Sequence, residues 1–194
     1  MRKRNCILLL AALALTGCWQ KSANPFYTAK DIVAEPKLAG AWRVVNDDDD
    51  PATWTFTRRG EKEYILVGQN KEERHEYVAR VFKLGDDRFI DLRVNAPGTV
   101  ATHHLFRIIA VEPELKVAGL NPSWMDNWLK DNPGSLAHKV VPDPDHRDDR
   151  SKDERVLTAD TAALQKFVRA HLDDADFFTG EIVLKKQAAA GKAK

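Results

Sequence analysis

TWTFT, residues 53–57, sets Trp54 and Phe56 alternately with three threonines. A strand sends successive side chains to opposite faces, so both aromatics fall on one side and the hydroxyls on the other, the pattern of a half-buried β-strand and not of a helix. The pattern recurs outward along the chain. Ile90, Leu92 and Val94 alternate with Asp91 and Arg93, and Phe106 and Ile108 alternate with Leu105 and Arg107. Turn signals stand between these runs at Asp47 to Pro51, Arg59-Gly60, Gly68 to Asn70, Gly85-Asp86-Asp87 and Pro97-Gly98. From Leu38 to about Leu120, roughly seven short strands at such spacing predict an antiparallel meander, curled into a barrel or a strongly bent sheet.

The second half changes period. Asn121-Pro122 is a helix start, with Asn as cap and Pro in the first turn, and the helix it opens stops at Asn132-Pro133-Gly134. Trp124, Met125, Trp128 and Leu129 share one face of it, and Trp124 with Trp128 is a candidate contact face for a partner, or else packing surface against the sheet. Further on, Leu164, Phe167, Val168 and Leu172 recur at helical spacing, with Thr158 or Asp160 placed to cap. The expected class is therefore α+β, a mainly antiparallel β meander or barrel with two amphipathic helices in the C-terminal half packed against the sheet.

Gly40-Ala41-Trp42 resembles the G-x-W of the first strand in lipocalins and related calycin barrels. The resemblance implies a lipocalin-like barrel in which Trp42 closes the base beneath an arginine, and Arg107, in a late strand, is the candidate for that cation. Two helices after the sheet depart from the simple lipocalin plan with its single C-terminal helix. Trp42 is a core residue on either reading.

Catalytic and metal constellations are not evident. His103 and His104 are adjacent in a strand, so their side chains point to opposite faces and do not chelate one ion together. His75, His138, His146 and His171 are scattered. In residues 143–154, DPDHRDDRSKDE, the acids Asp143, Asp145 and Glu154 match positions 1, 3 and 12 of an EF-hand loop. Arg147 then stands where a ligand belongs and Asp148 where the turn glycine belongs, which rejects the reading. Asp47 to Asp50 reads as a solvated hairpin tip. The expectation is a protein without cofactor or metal, and not an enzyme.

The amino terminus carries the most specific signal. Arg2, Lys3 and Arg4 precede the apolar run ILLLAALAL, residues 7–15, which is too short to span a bilayer as a helix and has the layout of a secretory signal. It runs into Leu15-Thr16-Gly17-Cys18, which resembles the lipobox of bacterial lipoproteins. The resemblance implies cleavage between Gly17 and Cys18, S-diacylglyceryl and N-acyl modification of Cys18, and anchoring in the membrane through that lipid alone. With Trp19 and not aspartate after the cysteine, the family's sorting rule implies the outer membrane, inner leaflet, facing the periplasm. The expected organisation is a signal peptide at 1–17, a lipidated tether at 18–35, one globular β-rich domain at 36–185 and a flexible tail at 186–194.

Losing residues 1–17 removes three cations and no acid, taking the formal net charge from +1 to −2. No basic surface bias supports nucleic-acid binding. Cys6 leaves with the signal, so the mature chain has no second cysteine to pair with Cys18, and stability must come from a core. The functional expectation is an interaction or structural module with an envelope protein as partner, the alternative being a carrier or sensor for a small apolar ligand. Bulky candidates for the barrel interior, Trp42, Trp54, Phe56, Phe82, Ile90, Phe106 and Ile108, favour the first.

Overall fold

The structure is a computed structural model that describes residues 19–45, 52–94, 101–142 and 153–188. Seven strands occupy the stretch where alternation predicts them: β2 (Gly40–Val44), β3 (Thr53–Arg59), β4 (Glu63–Gln69), β5 (Arg74–Leu84), β6 (Asp87–Val94), β7 (His103–Ala110) and β8 (Glu114–Leu120). They follow β1 (Lys21–Ser22) and a 3₁₀ turn at Pro36–Leu38. Beyond them come α1 (Pro122–Asp131), β9 (His138–Val141), β10 (Glu154–Leu157), α2 (Thr161–His171) and β11 (Phe178–Lys186).

Strands β2 to β8 pair in sequence, each antiparallel to the next, and β11 pairs with both β8 and β2. The result is a closed eight-stranded antiparallel barrel with two helices, an α+β fold. The eighth strand is a correction to the expected layout. FTGEIVLKK at 178–186 carries a register shift between Thr179 and Ile182, which breaks its alternation. Lys186 pairs with Trp42, and the Gln187 N–H donates to the Ala41 carbonyl at 2.8 Å, so the wall runs into the stretch expected to be tail.

Two cores share this wall. The barrel interior is packed by Trp42, Trp54, Phe56, Tyr64, Leu66, Tyr77, Ile90 and Phe106 among others. A second core lies outside, where Phe82, Leu84, Phe89, Leu105 and Leu120 meet Met125 and Leu129 of α1 and Leu164, Phe167 and Val168 of α2. Phe82, expected inside, belongs to this outer core because it alternates with the inward Val81. Both helices begin as their sequences direct. Asn121 Oδ1 accepts from the N–H groups of Ser123 and Trp124, and Asp160 Oδ1 accepts from that of Ala163.

The largest correction is at the amino terminus. Residues 19–35, expected as a tether, are built into the domain. Lys21–Ser22 pairs antiparallel with β7 and parallel with β10, extending the sheet through β10 to β9. Phe26 is fully buried in the outer core. The Val33 N–H donates to the Val81 carbonyl at 2.9 Å, and the Lys83 N–H to the Asp31 carbonyl at 3.0 Å. The segment runs as a strap down the outer face of β5 and β6 to the far end of the barrel, where Leu38 is fully buried and the chain turns into β2. Trp19, Phe26, Tyr27, Ile32 and Val33 supply apolar surface that a solvated tether would have no means of hiding.

Candidate functional site

Both ends of the barrel are closed by this one segment. At the end where β8 finishes, the Trp19 indole enters the interior, 7% exposed, with its ring 5.2 Å from that of Phe106. Glycine makes the approach feasible. A Cβ at Gly119 would stand 1.9 Å from the Trp19 ring, and one at Gly180 would stand 2.6 Å from it. Gln20 fixes the backbone behind the plug, its N–H donating to the Leu120 carbonyl at 3.4 Å and its Nε2 to that of Arg155 at 2.6 Å. At the opposite end the Trp42 Nε1 donates to the Leu38 carbonyl at 2.8 Å, and the Lys186 ammonium lies 4.9 Å from the Trp42 ring centroid while donating to the Lys37 carbonyl.

The cation beside Trp42 is thus Lys186. Arg107, the sequence candidate, follows Phe106 and precedes Ile108, which face inward, so it emerges on the outer surface. There it pairs with Asp87 at 2.7 Å and donates to the Leu172 carbonyl at 3.4 Å. It lines an open groove of about 750 Å³ with Arg88, Ile109, Phe178 and Glu181. Trp124 and Trp128 stack on each other with centroids 6.2 Å apart and 10° between planes, and both meet Phe167 and His171. They are half-buried against α2, which already occupies most of the aromatic face. Gly17 and Cys18 lie outside the described residues, as do the Asp47 to Asp50 run, Pro97-Gly98, Asp143 and Asp145. Glu154, the remaining acid of the rejected calcium loop, pairs with Lys21 at 2.8 Å.

The adjacent histidines part as strand geometry requires, yet both are buried. His103 faces outward, and its Nδ1 lies 2.7 Å from Asp91 Oδ1. Asp91 Oδ2 accepts from the Phe26 N–H at 3.1 Å, so this buried pair clasps the strap to the barrel. Ser22 stands opposite His103 in the β1–β7 register, which brings serine, histidine and aspartate into line. The Ser22 hydroxyl, however, donates to the Asn24 carbonyl and is fully buried, so the trio holds chain to chain and has no surface for a substrate. His104 turns into the barrel. Burial, then the Lys21 ammonium and His103, push its pKa down to about 4, and its Nδ1 has no hydrogen-bond partner among the described residues.

No family model, no curated protein and no solved structure matches this chain. Among the described residues no group of three or more His, Cys, Asp or Glu is placed to hold a metal ion, and no helix is long and apolar enough to cross a membrane. The site that sequence reasoning missed is the Trp19 plug with its glycine seat. The available signal was the aromatic content of residues 19–27, three large rings in a stretch otherwise polar.

Proposed function

We propose that this chain is a bacterial envelope lipoprotein, anchored by S-diacylglyceryl and N-acyl groups on Cys18 at the inner leaflet of the outer membrane, and that its periplasmic domain is an interaction or structural module. The lipobox LTGC directly after the apolar run supports the anchor. The observation that carries the choice of module is the state of the barrel: its interior is occupied by its own side chains, with Trp19 at one end and Leu38 at the other. A barrel filled in this way uses its walls for stability and leaves its outer surface for contacts.

The exposed part of that surface most suited to a protein partner is β9. Val140 and Val141 are each 45% exposed, and among the described residues β9 is the last strand in the sheet order, paired with β10 alone. An extended segment of another envelope protein fits such an edge by continuing the ladder. Photo-crosslinking from a residue placed at Val140 in intact envelopes is expected to capture a discrete protein band, competed away by excess soluble domain. Capture of lipid alone, or of no competed band, overturns the module reading.

A second reading, a lipocalin-like carrier, draws on the eight-stranded closed barrel, an architecture wide enough to hold one small ligand when its interior side chains are small. A ligand retained by the purified domain on native mass spectrometry would decide for it.

A further inference from the structure

Trp19 leaves no slack between the barrel and whatever is attached to the residue before it. A flexible tether of n residues spreads its ends by roughly 5–6 Å × √n. Here n is zero: consecutive Cα atoms are about 3.8 Å apart, and Trp19 is seated within the wall by Gly119, Gly180 and Phe106. Gln20 and Lys21 are held in turn by Leu120, Arg155, β7 and Glu154. A lipid on Cys18 therefore enters the bilayer at the mouth of the barrel.

Resting on the reading that Cys18 is lipidated, we propose that the Trp19 end of the barrel is a membrane-facing surface, and that the domain sits flush on the phospholipid headgroups with its long axis pointing away from them. The surface in contact surrounds a hollow of about 180 Å³ beside Trp19, lined by Gln20, Lys21, Pro122, Asp126, Glu154 and Arg155 among others. Beside it Lys21 is joined to Glu154 and Arg155 to Asp126, each at 2.8 Å, so these four charges at the hollow are paired with one another. The acyl chains supply the affinity. The orientation also sets what faces the periplasm: the β3–β4 turn at Gly60 to Lys62 lies at the other end of the barrel, a strand's length of roughly 20 Å farther out.

The test uses the full chain, expressed, lipidated and purified from envelopes. Its mature form has no free thiol, so Asn127→Cys, exposed on α1 next to Asp126, and Glu61→Cys, exposed in the β3–β4 turn, can each be labelled with one fluorophore. Both are placed in phosphatidylethanolamine–phosphatidylglycerol vesicles that contain a headgroup-nitroxide lipid. Quenching is expected to be several-fold stronger at position 127 than at 61. Inserting a flexible Gly/Ser segment of about ten residues between Cys18 and Trp19, worth roughly 17 Å of reach, should bring the two close together. Equal or reversed quenching in the uninserted chain, or no response to the insertion, overturns the orientation. Mass spectrometry of the same preparation reads the anchor separately. An unmodified Cys18, or a terminus elsewhere, overturns the lipidation reading itself and with it the basis of the docking.

Discussion

At the residue scale, Trp19 and Gly119 form one device, an indole and the missing side chain that admits it. Trp19→Ala should cost about 3–5 kcal/mol, the range for truncating a buried large aromatic. Gly119→Ala forces a methyl group to 1.9 Å from the ring and should also destabilise strongly. The two effects share a cause, so in the Trp19→Ala background Gly119→Ala should cost little. Urea denaturation of the four proteins of this cycle measures the coupling, and additive losses would refute the plug. His104 makes a second, pH-dependent statement. Its folded pKa, about 4, lies below its unfolded value, so both states are neutral at pH 7 and the unfolded chain takes the proton first as pH falls. Stability should drop between about pH 6.5 and 4, by up to about 3 kcal/mol from this group alone. His104→Leu should flatten that part of the profile relative to the unsubstituted chain; parallel curves would remove His104 as its source.

At the element scale, the strap is the part on which the rest depends. A soluble chain beginning at Trp19 should melt cooperatively, whereas one beginning at Pro36, where the sequence predicts the domain to start, should not. The shorter chain uncovers Phe82, against which Tyr27 packs, loses Trp19 and Phe26 at about 3–5 kcal/mol each, and leaves the Asp91 carboxylate without the Phe26 N–H, against a total stability of about 5–15 kcal/mol. A cooperative transition in the shorter chain would show the strap to be accessory. The contrast between strap and strands explains what the sequence reveals and what it hides. TWTFT and its neighbours are legible because a half-buried strand imposes a period of two, and both helices because their caps and apolar faces coincide. The strap has no period, since Trp19, Phe26 and Val33 are each held by a different partner at a different height. Strands β9 and β10 have only four residues each, and β9 is largely exposed, so neither shows alternation. The same parity that buries Phe106 and Ile108 turns Arg107 outward, while Lys186, which does reach Trp42, sits in a lysine- and alanine-rich stretch that reads as tail.

At the scale of the whole molecule, the question is whether a closed eight-stranded barrel holds a ligand or holds itself, and the packing of its interior supports the second. Trp42, Trp54, Phe56, Tyr64, Tyr77 and Phe106 are each no more than 3% exposed, and Trp54 lies edge-on to both Phe56 and Phe106. Rings of this size bury on the order of 150–250 Å² each, so the stability of the barrel and the filling of its lumen are the same fact. Removing one ring should then open a binding site in the filled lumen. Trp54→Ala is expected to lower the melting temperature through a loss of about 3–5 kcal/mol, and to leave an apolar void of the shape of the ring it lost. Indole added at millimolar concentration should refill that void and raise the melting temperature of the variant, since a ligand that binds only the folded state stabilises it by RT ln(1 + [L]/Kd). The unsubstituted protein should not respond to indole, nor to a short-chain fatty acid used as a second apolar probe. A response there of similar size to that of the variant would mean that the interior accepts ligands as it stands, and the carrier reading would replace the module.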